Sequence, residues 1–264
     1  QIKFKIIRFK KPPIIILTPG KVGSTSVYYS IKKGTEHPVF HIHNLSQEGI
    51  ENSNKLHFSS DRKSIPLHLI ISKLLKIKLK KYQGKVFIIT IVREPISREI
   101  SSFLQNTEMY KSVLENKKLE IDINKAHELL SSKLELGICK SIEEWFELEI
   151  KGNFGIDVFK IEFDKEKKYI ITSNNNCHML LLRMEELDEL FPKTIQEFLK
   201  LQNPLYLKKS NLGEKKHYAM AYNGIRKNIK LSPATIKGIV NSKYFQHFYK
   251  AKTTEITNRW IKKI

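Results

Sequence analysis

"ILTPGKVGSTSVYYSI", residues 16–31, is the stretch on which the fold turns. The apolar run Ile14-Ile15-Ile16-Leu17 stops at Thr18-Pro19-Gly20, and Lys21, Val22 and Gly23 lead into three hydroxylated residues, Ser24, Thr25 and Ser26. A short apolar run closed by Pro and Gly reads as a buried strand, Ile14 to Thr18, and its stop. The residues from Ser24 to about Lys33 read as a helix. Gly20 and Gly23 let a ligand come close to the backbone. The first amides of a helix have no internal partner, and its dipole favours an anion there. Such a strand-loop-helix suits a phosphate-like group, with hydroxyls from Ser24, Thr25 and Ser26 and a charge from Lys21.

The loop departs from the nucleotide-triphosphatase pattern, in which Lys follows the second Gly and Ser or Thr follows the Lys directly. Here Lys21 precedes Gly23 and Val22 follows it. The hydroxyl that would hold magnesium is missing from its place, so the loop is expected to grip its anion without a loop-bound metal.

A second segment has the same flavour. "KVFIITIV", 85–92, is rich in β-branched residues and reads as a strand buried on both faces, as in a parallel sheet. "REPISREISSF", 93–103, follows it, with Pro95 where a helix begins. Arg98 and Ser101 fall near one another on one side of that helix, and with Arg93 they make a second candidate anion site.

The rest of the chain fits this frame. "PVFHIHN", 38–44, reads as a short strand, 65–82 as a helix with a lysine-rich end, and 124–150 as helix with Trp145 and Phe146 on its apolar face. "GIDVF" (155–159), "KYIIT" (168–172) and "CHMLLLRM" (177–184) read as strands, and "SNNN" (173–176) as a turn. Residues 214–229 and 232–242 read as helices, the second capped by Ser232 with Pro233 in its first turn. Strands alternating with helices predict a three-layer α/β/α sandwich around a mostly parallel sheet. One domain is expected over 1–264, its core at about 12–110 and 155–190, its helical remainder and a C-terminal lid at about 191–264.

With 264 residues and 41% hydrophobic content the chain can bury a core, which excludes wholesale disorder. Lys and Arg number 47 against 27 Asp and Glu, a net charge of +20, so an anionic partner is expected. Cys139 and Cys177 have neither disulfide-framework nor metal spacing. No apolar stretch reaches the roughly 18 residues that span a bilayer, although the basic charge allows peripheral membrane contact.

"PGKVGSTSV" resembles the 5′-phosphosulfate loop of sulfotransferases that use 3′-phosphoadenosine 5′-phosphosulfate (PAPS). "VREPISREISSF" is similar to their 3′-phosphate motif, R-[DE]-P-x-x-R-x-x-S, with Arg93 and Ser101 at matching spacing. The closest likeness is to Golgi-type and bacterial carbohydrate sulfotransferases. "PVFHIHN" resembles the strand that carries the histidine base in heparan sulfate uronosyl 2-O-sulfotransferases, and "CHMLLLRMEEL" the family's R-x-E-x-L strand end. "KKSNLGEKKHYAMAY" resembles bacterial capsular polysaccharide synthesis enzymes. The resemblance implies a P-loop-like sulfotransferase fold and transfer of a sulfuryl group from PAPS to a carbohydrate hydroxyl, leaving adenosine 3′,5′-bisphosphate. Pro19, Gly20, Lys21, Val22, Gly23, Ser24, Thr25 and Ser26 would hold the 5′ side of the donor, and Arg93, Arg98 and Ser101 the 3′-phosphate. Lys21 would stabilise the leaving group and His41 would take the acceptor proton.

Several points stay open at this level. His43 shares a strand face with His41, and Glu36 and Glu48 are further candidates for the base. His41 and His43 could also chelate a metal, but no third ligand has clear spacing. Glu185 or Glu186 is expected to stabilise the core, pairing with Arg183. Lys208, Lys209, Asn211 and Lys215 form a lid or a basic loop. Competing functions are a nucleotide-dependent phosphotransferase and a noncatalytic binder of nucleic acid or polyanionic glycan. For "SKYFQHFYK", 242–250, a core helix fits better than a nucleic-acid stacking platform. Few cysteines and one Asn-x-Ser site, at Asn44, favour a bacterial cytoplasmic enzyme; a Golgi-lumen one would need an anchor upstream of Gln1.

Overall fold

The structure, a computed structural model, describes residues 9–58, 65–105, 123–135, 137–208 and 229–261. The chain divides into two compact units: Gln1–Val92 with Trp145–Lys208, and Arg93–Glu144 with Lys209–Ile264. The helix read at 214–229 and the lid residues Lys209, Asn211 and Lys215 lie, apart from Ile229, outside the described residues.

The first unit is built on a five-stranded sheet of order β2-β1-β3-β5-β4. Its strands are β1 (Ile14–Leu17), β2 (Val39–Ile42), β3 (Val86–Val92), β4 (Tyr169–Asn174) and β5 (Cys177–Arg183). β1, β2, β3 and β5 run parallel, and β4 pairs antiparallel with β5 as a hairpin over the Asn175-Asn176 turn. The sheet is therefore mixed but mostly parallel. β3 is buried along its whole length, as its unbroken β-branched run requires. Ile14, Ile16, Ile89, Ile91, Leu180 and Leu182 pack on α1 (Ser24–Gly34) through Val27 and Ile31, and on the helix Leu187–Leu199 through Phe191 and Ile195. The alternate residues Ile15, Leu17, Ile88, Met179 and Leu181 are equally buried, so both sheet faces are covered.

Between β2 and β3 the chain forms α2 (Gln47–Phe58) and α3 (Leu67–Leu79), which pack against each other. β1 leads to β2 on one side, and the chain then crosses to β3 on the other side of β1. The order thus reverses at β1, and in open α/β sheets ligands bind at such a point, beyond the carboxyl ends of the strands.

One sequence expectation fails and another is refined. Residues 155–159 form no strand. Gly155 sits in the left-handed region at φ 66, and the Asp157 side chain accepts from the Phe159 amide, which closes a 3₁₀ turn at Val158–Lys160. The helix expected over 124–150 is not continuous. It divides into α5 (Ile123–Glu135), α6 (Ile138–Trp145) and a π-helical segment, Phe146–Lys151, with Gly137 at φ 87 between the first two.

The second unit is helical in its described residues: α4 (Pro95–Gln105), α5, most of α6, α8 (Pro233–Val240), α9 (Lys243–Phe248) and α10 (Thr253–Trp260). Leu187–Leu199 of the first unit is α7 in chain order. α4 buries Ile96, Ile100, Phe103 and Leu104, an apolar stripe at helical spacing. Ser232 caps α8 by accepting from the Thr235 amide, with Pro233 next to it, as the sequence implies. Tyr244, Phe245, Phe248 and Tyr249 are all buried, so "SKYFQHFYK" is core, not a nucleic-acid surface.

Candidate anion-binding site

The turn from β1 into α1 is held open by its backbone. Lys21 has φ 72 and Gly23 has φ 79, both left-handed. That conformation is easy for Gly and uncommon for Lys. Gly23 is the N-cap of α1, with no side-chain cap and no acidic residue in the first turn. An uncapped helix start at a switch point is a natural place for an anion. A Cβ on Gly20 would meet nothing within 4 Å, so the loop faces open space there. Pro19 and Val22 are buried, Val22 fully within the core cluster, so only its backbone can face a ligand. Ser24 and Ser26 are buried and Thr25 half-buried. The Ser26 amide donates to the Gly23 carbonyl at 3.1 Å.

A buried hydroxyl lies at the same place. Thr18 is 0% exposed and its Oγ1 has no hydrogen-bond partner among the described residues. A buried polar atom left unpaired costs about 1–3 kcal/mol, so Thr18 leaves an unsatisfied hydroxyl just before the turn. The signal in the sequence is its position before Pro19-Gly20, where it also ends the strand.

Two histidines face this turn, His41 from β2 and His43 from the bend just after it. His41 lies opposite Ile16 in the ladder, and its Nε2 shares a 2.8 Å hydrogen bond with the Ser24 hydroxyl. Its ring stacks on Tyr28 at 5.6 Å. Burial, then the charges of His43 and His68, push the His41 pKa down to about 4, so the ring is neutral at pH 7. His43 meets His41 edge-on at 5.2 Å, although the strand ends at Ile42 and His43 lies just beyond it. The His43 Nδ1 lies 2.8 Å from the Thr18 carbonyl. A carbonyl only accepts, so Nδ1 carries a proton. His68, on α3, meets His43 at 6.1 Å. Among the described residues no group of three or more His, Cys, Asp or Glu is placed to hold a metal ion.

The carboxylate alternatives lie elsewhere. Glu36 precedes β2 and pairs with Lys11, which precedes β1, so it sits at the opposite, amino-terminal sheet edge. Glu48 is exposed on the first turn of α2 and lines a cavity of about 630 Å³ with Val86, Asn176 and Cys177, also at the amino ends of strands. In its wall Asn153 and Asn176 bond to backbone carbonyls, and Lys76 donates to Gln47.

In the second unit, Arg93 donates its amide to the Tyr244 hydroxyl at 3.1 Å, and that hydroxyl lies 2.8 Å from the Arg93 carbonyl. The Glu94 carboxylate accepts from the Ile96 and Ser97 amides at 2.8 and 2.9 Å and so caps α4 itself. Arg98 is half-buried beside Glu99 (3.8 Å); burial pulls its pKa down and the Glu99 charge opposes this. Glu99 is also held by Lys133 at 2.6 Å. Ser101 is half-buried, one turn beyond Arg98.

Two carboxylates do structural work. Arg183 binds Glu186 through two 2.9 Å hydrogen bonds, both residues buried, so the expected pairing falls on Glu186. Glu149, in the π-helical segment, is 1% exposed and accepts from the Leu45 and Ser46 amides and the Ser46 hydroxyl, fixing the start of α2. Sequence reasoning missed it, because its partners lie about a hundred residues away.

No curated protein and no solved structure matches the chain, and among the described residues no helix is long and apolar enough to cross a membrane. Residues 118–250, half of the chain, match the family model described as "Putative capsular polysaccharide synthesis protein". The match begins beyond α4 and takes in Glu149, Arg183 and Glu186, but not the loop at 18–26. The chain belongs to this capsular polysaccharide synthesis family.

Proposed function

We propose that the chain is a sulfotransferase that moves a sulfuryl group from PAPS to a carbohydrate hydroxyl, with the P-loop-like sulfotransferase fold that its motifs resemble. The observation that carries this reading is the uncapped start of α1, with left-handed Lys21 and Gly23 before it and the unpartnered Thr18 hydroxyl beneath. The family supports a saccharide setting. The +20 charge suits an anionic donor and an anionic polysaccharide.

PAPS supplies the activated sulfuryl group when bound. Residues 19–26 hold its 5′ side through the opening amides and hydroxyls of α1, with Thr18 as an added donor. Arg93, Arg98 and Ser101 hold the 3′-phosphate through side chains alone, since Glu94 already occupies the amides of α4. Lys21 stabilises the charge that develops on the leaving oxygen. The pair His41 and His43 supplies the base. His41 is neutral and bonded to Ser24, and His43 donates from Nδ1 to the Thr18 carbonyl.

Titration calorimetry with adenosine 3′,5′-bisphosphate tests the reading. Binding should be much tighter than for adenosine 5′-phosphate, and Arg93→Ala should erase most of that difference. Equal affinities for the two would remove the proposal. Preferential binding of ATP with magnesium would replace it with a phosphotransferase.

A further inference from the structure

Helix α3 is apolar on two sides. Its inward side buries Leu69 and Leu75. Its outward side carries Leu67, 70% exposed, and Ile77, 64% exposed. Ile70 and Leu74 lie between them at helical spacing and are only partly covered, so positions 67, 70, 74 and 77 form one stripe. Ile65, just before the helix, and Leu56, on the α2 helix that packs against it, are also exposed. Three of the seven exposed large apolar side chains among the described residues thus belong to one helix pair, and Ile65 lies just before it. Scattered apolar surface needs no explanation, but a concentration of it marks an interaction surface.

The charges say what covers it. Residues 65–82 contain five lysines, at 73, 76, 78, 80 and 81, and no Asp or Glu. Lys73 lies within the stripe, three residues after Ile70 and four before Ile77. Lys81 follows Ile77 by four. A second copy of the chain would set lysine against lysine across this face. An anionic bilayer answers both features: acyl chains take the aliphatic stripe and negative headgroups take the lysines, whose stems lie along the apolar surface. With 13 residues the helix is too short to cross, since a span needs about 20.

We propose that α3 is the surface through which this protein binds an anionic lipid bilayer, lying in the interface plane with Leu67 and Ile77 inserted. The proposal stands apart from the sulfotransferase reading and needs no activity to test. In co-sedimentation, the full chain should bind vesicles containing phosphatidylglycerol, weaken with added salt, and ignore vesicles of phosphatidylcholine alone. Leu67→Ser with Ile77→Ser, and separately Lys73→Glu with Lys81→Glu, should each lower the partition by about tenfold or more, given that each lysine contributes roughly fivefold. Lys193→Glu with Lys237→Glu, exposed on other helices, should leave it within about twofold. The substituted positions are at the surface, so circular dichroism melts should be unchanged. The proposal is overturned if wild type ignores anionic vesicles, if the Ser pair binds as wild type does, or if the control pair loses as much as the α3 lysines. A dimer that the Ser pair dissolves, without vesicle binding by wild type, would assign the face to self-association instead.

Discussion

Two strand-to-helix junctions in this chain look alike in sequence and differ in their chemistry. Both follow a buried strand and contain a proline, β1 into α1 through Thr18-Pro19 and β3 into α4 through Glu94-Pro95. At the second, Glu94 turns its carboxylate onto the Ile96 and Ser97 amides, so the helix start is already occupied by an anion of the chain's own. At the first there is no carboxylate, no side-chain cap and a left-handed backbone at Lys21 and Gly23. A third junction, β5 into α7, is acidic too, with Glu186 held by Arg183 and with Asp188 and Glu189 in the first turn. Of the three, only α1 has neither a side-chain cap nor an acidic residue in its first turn. The β3–α4 segment can contribute only side chains.

The largest expected effect lies at the open junction. Lys21→Ala should lower sulfuryl transfer on the order of 10² to 10⁴-fold, the range for removing one group aimed at developing charge. It should also weaken the bisphosphate, because the ammonium meets the ground-state anion as well. Transfer of labelled sulfate to a saccharide acceptor at saturating donor measures the first effect. A variant that keeps its rate would make Lys21 a structural residue of the turn and remove the functional contrast between the junctions.

The next effect comes from His41, which has no counterpart after β3. Its folded pKa, about 4, lies below the unfolded value of about 6.5. Between those values the unfolded chain takes up a proton that the folded chain resists. Stability from this residue is therefore complete above about pH 6.5 and declines as pH falls toward 4, by no more than about 3 kcal/mol. Urea midpoints measured across that range should fall, and His41→Gln should flatten the slope while still able to reach Ser24. Sulfate bound at α1 should favour the charged ring and reduce the acid loss. A profile identical in wild type and His41→Gln would place the titration on another group.

How much of this was legible follows from where the partners lie. β1, α1, β3 and α4 could be read because Pro and Gly punctuate apolar runs locally, and Ser232-Pro233 announced α8 the same way. The start of α2 could not, because it is set by Glu149 from a distant part of the chain. α7 was hidden by Pro192 within it. The contacts of His41 with Ser24 and of His43 with Thr18 are products of strand pairing, so the sequence placed the histidines on a strand but not at the loop. Strand direction also separates Glu36 from the loop, although it lies nearer to it in sequence than His41 does. The two-unit division leaves little trace, since the chain passes between units three times, at the end of β3, at the end of α6 and after Lys208.

The smallest effect tests the comparison from its closed side. Glu94 is 5% exposed and both its oxygens serve amides of α4, so Glu94→Ala removes a cap and leaves those donors open. Loss of a helix cap costs about 0.5–2 kcal/mol, typically near 1, which urea unfolding resolves. The freed amides then resemble those of α1: a helix start without its own carboxylate, with a favourable dipole. Sulfate should therefore stabilise Glu94→Ala more than it stabilises wild type, by an amount bounded by the cap that was lost. Wild type should respond only through α1, and Gly23→Val, which strains the left-handed position there, should reduce that response. The extra response in Glu94→Ala should survive when Gly23→Val is added, because the two helix starts are filled independently. If sulfate stabilises wild type and Glu94→Ala equally, Glu94 is not what closes α4, and the asymmetry between the junctions must come from their backbones alone.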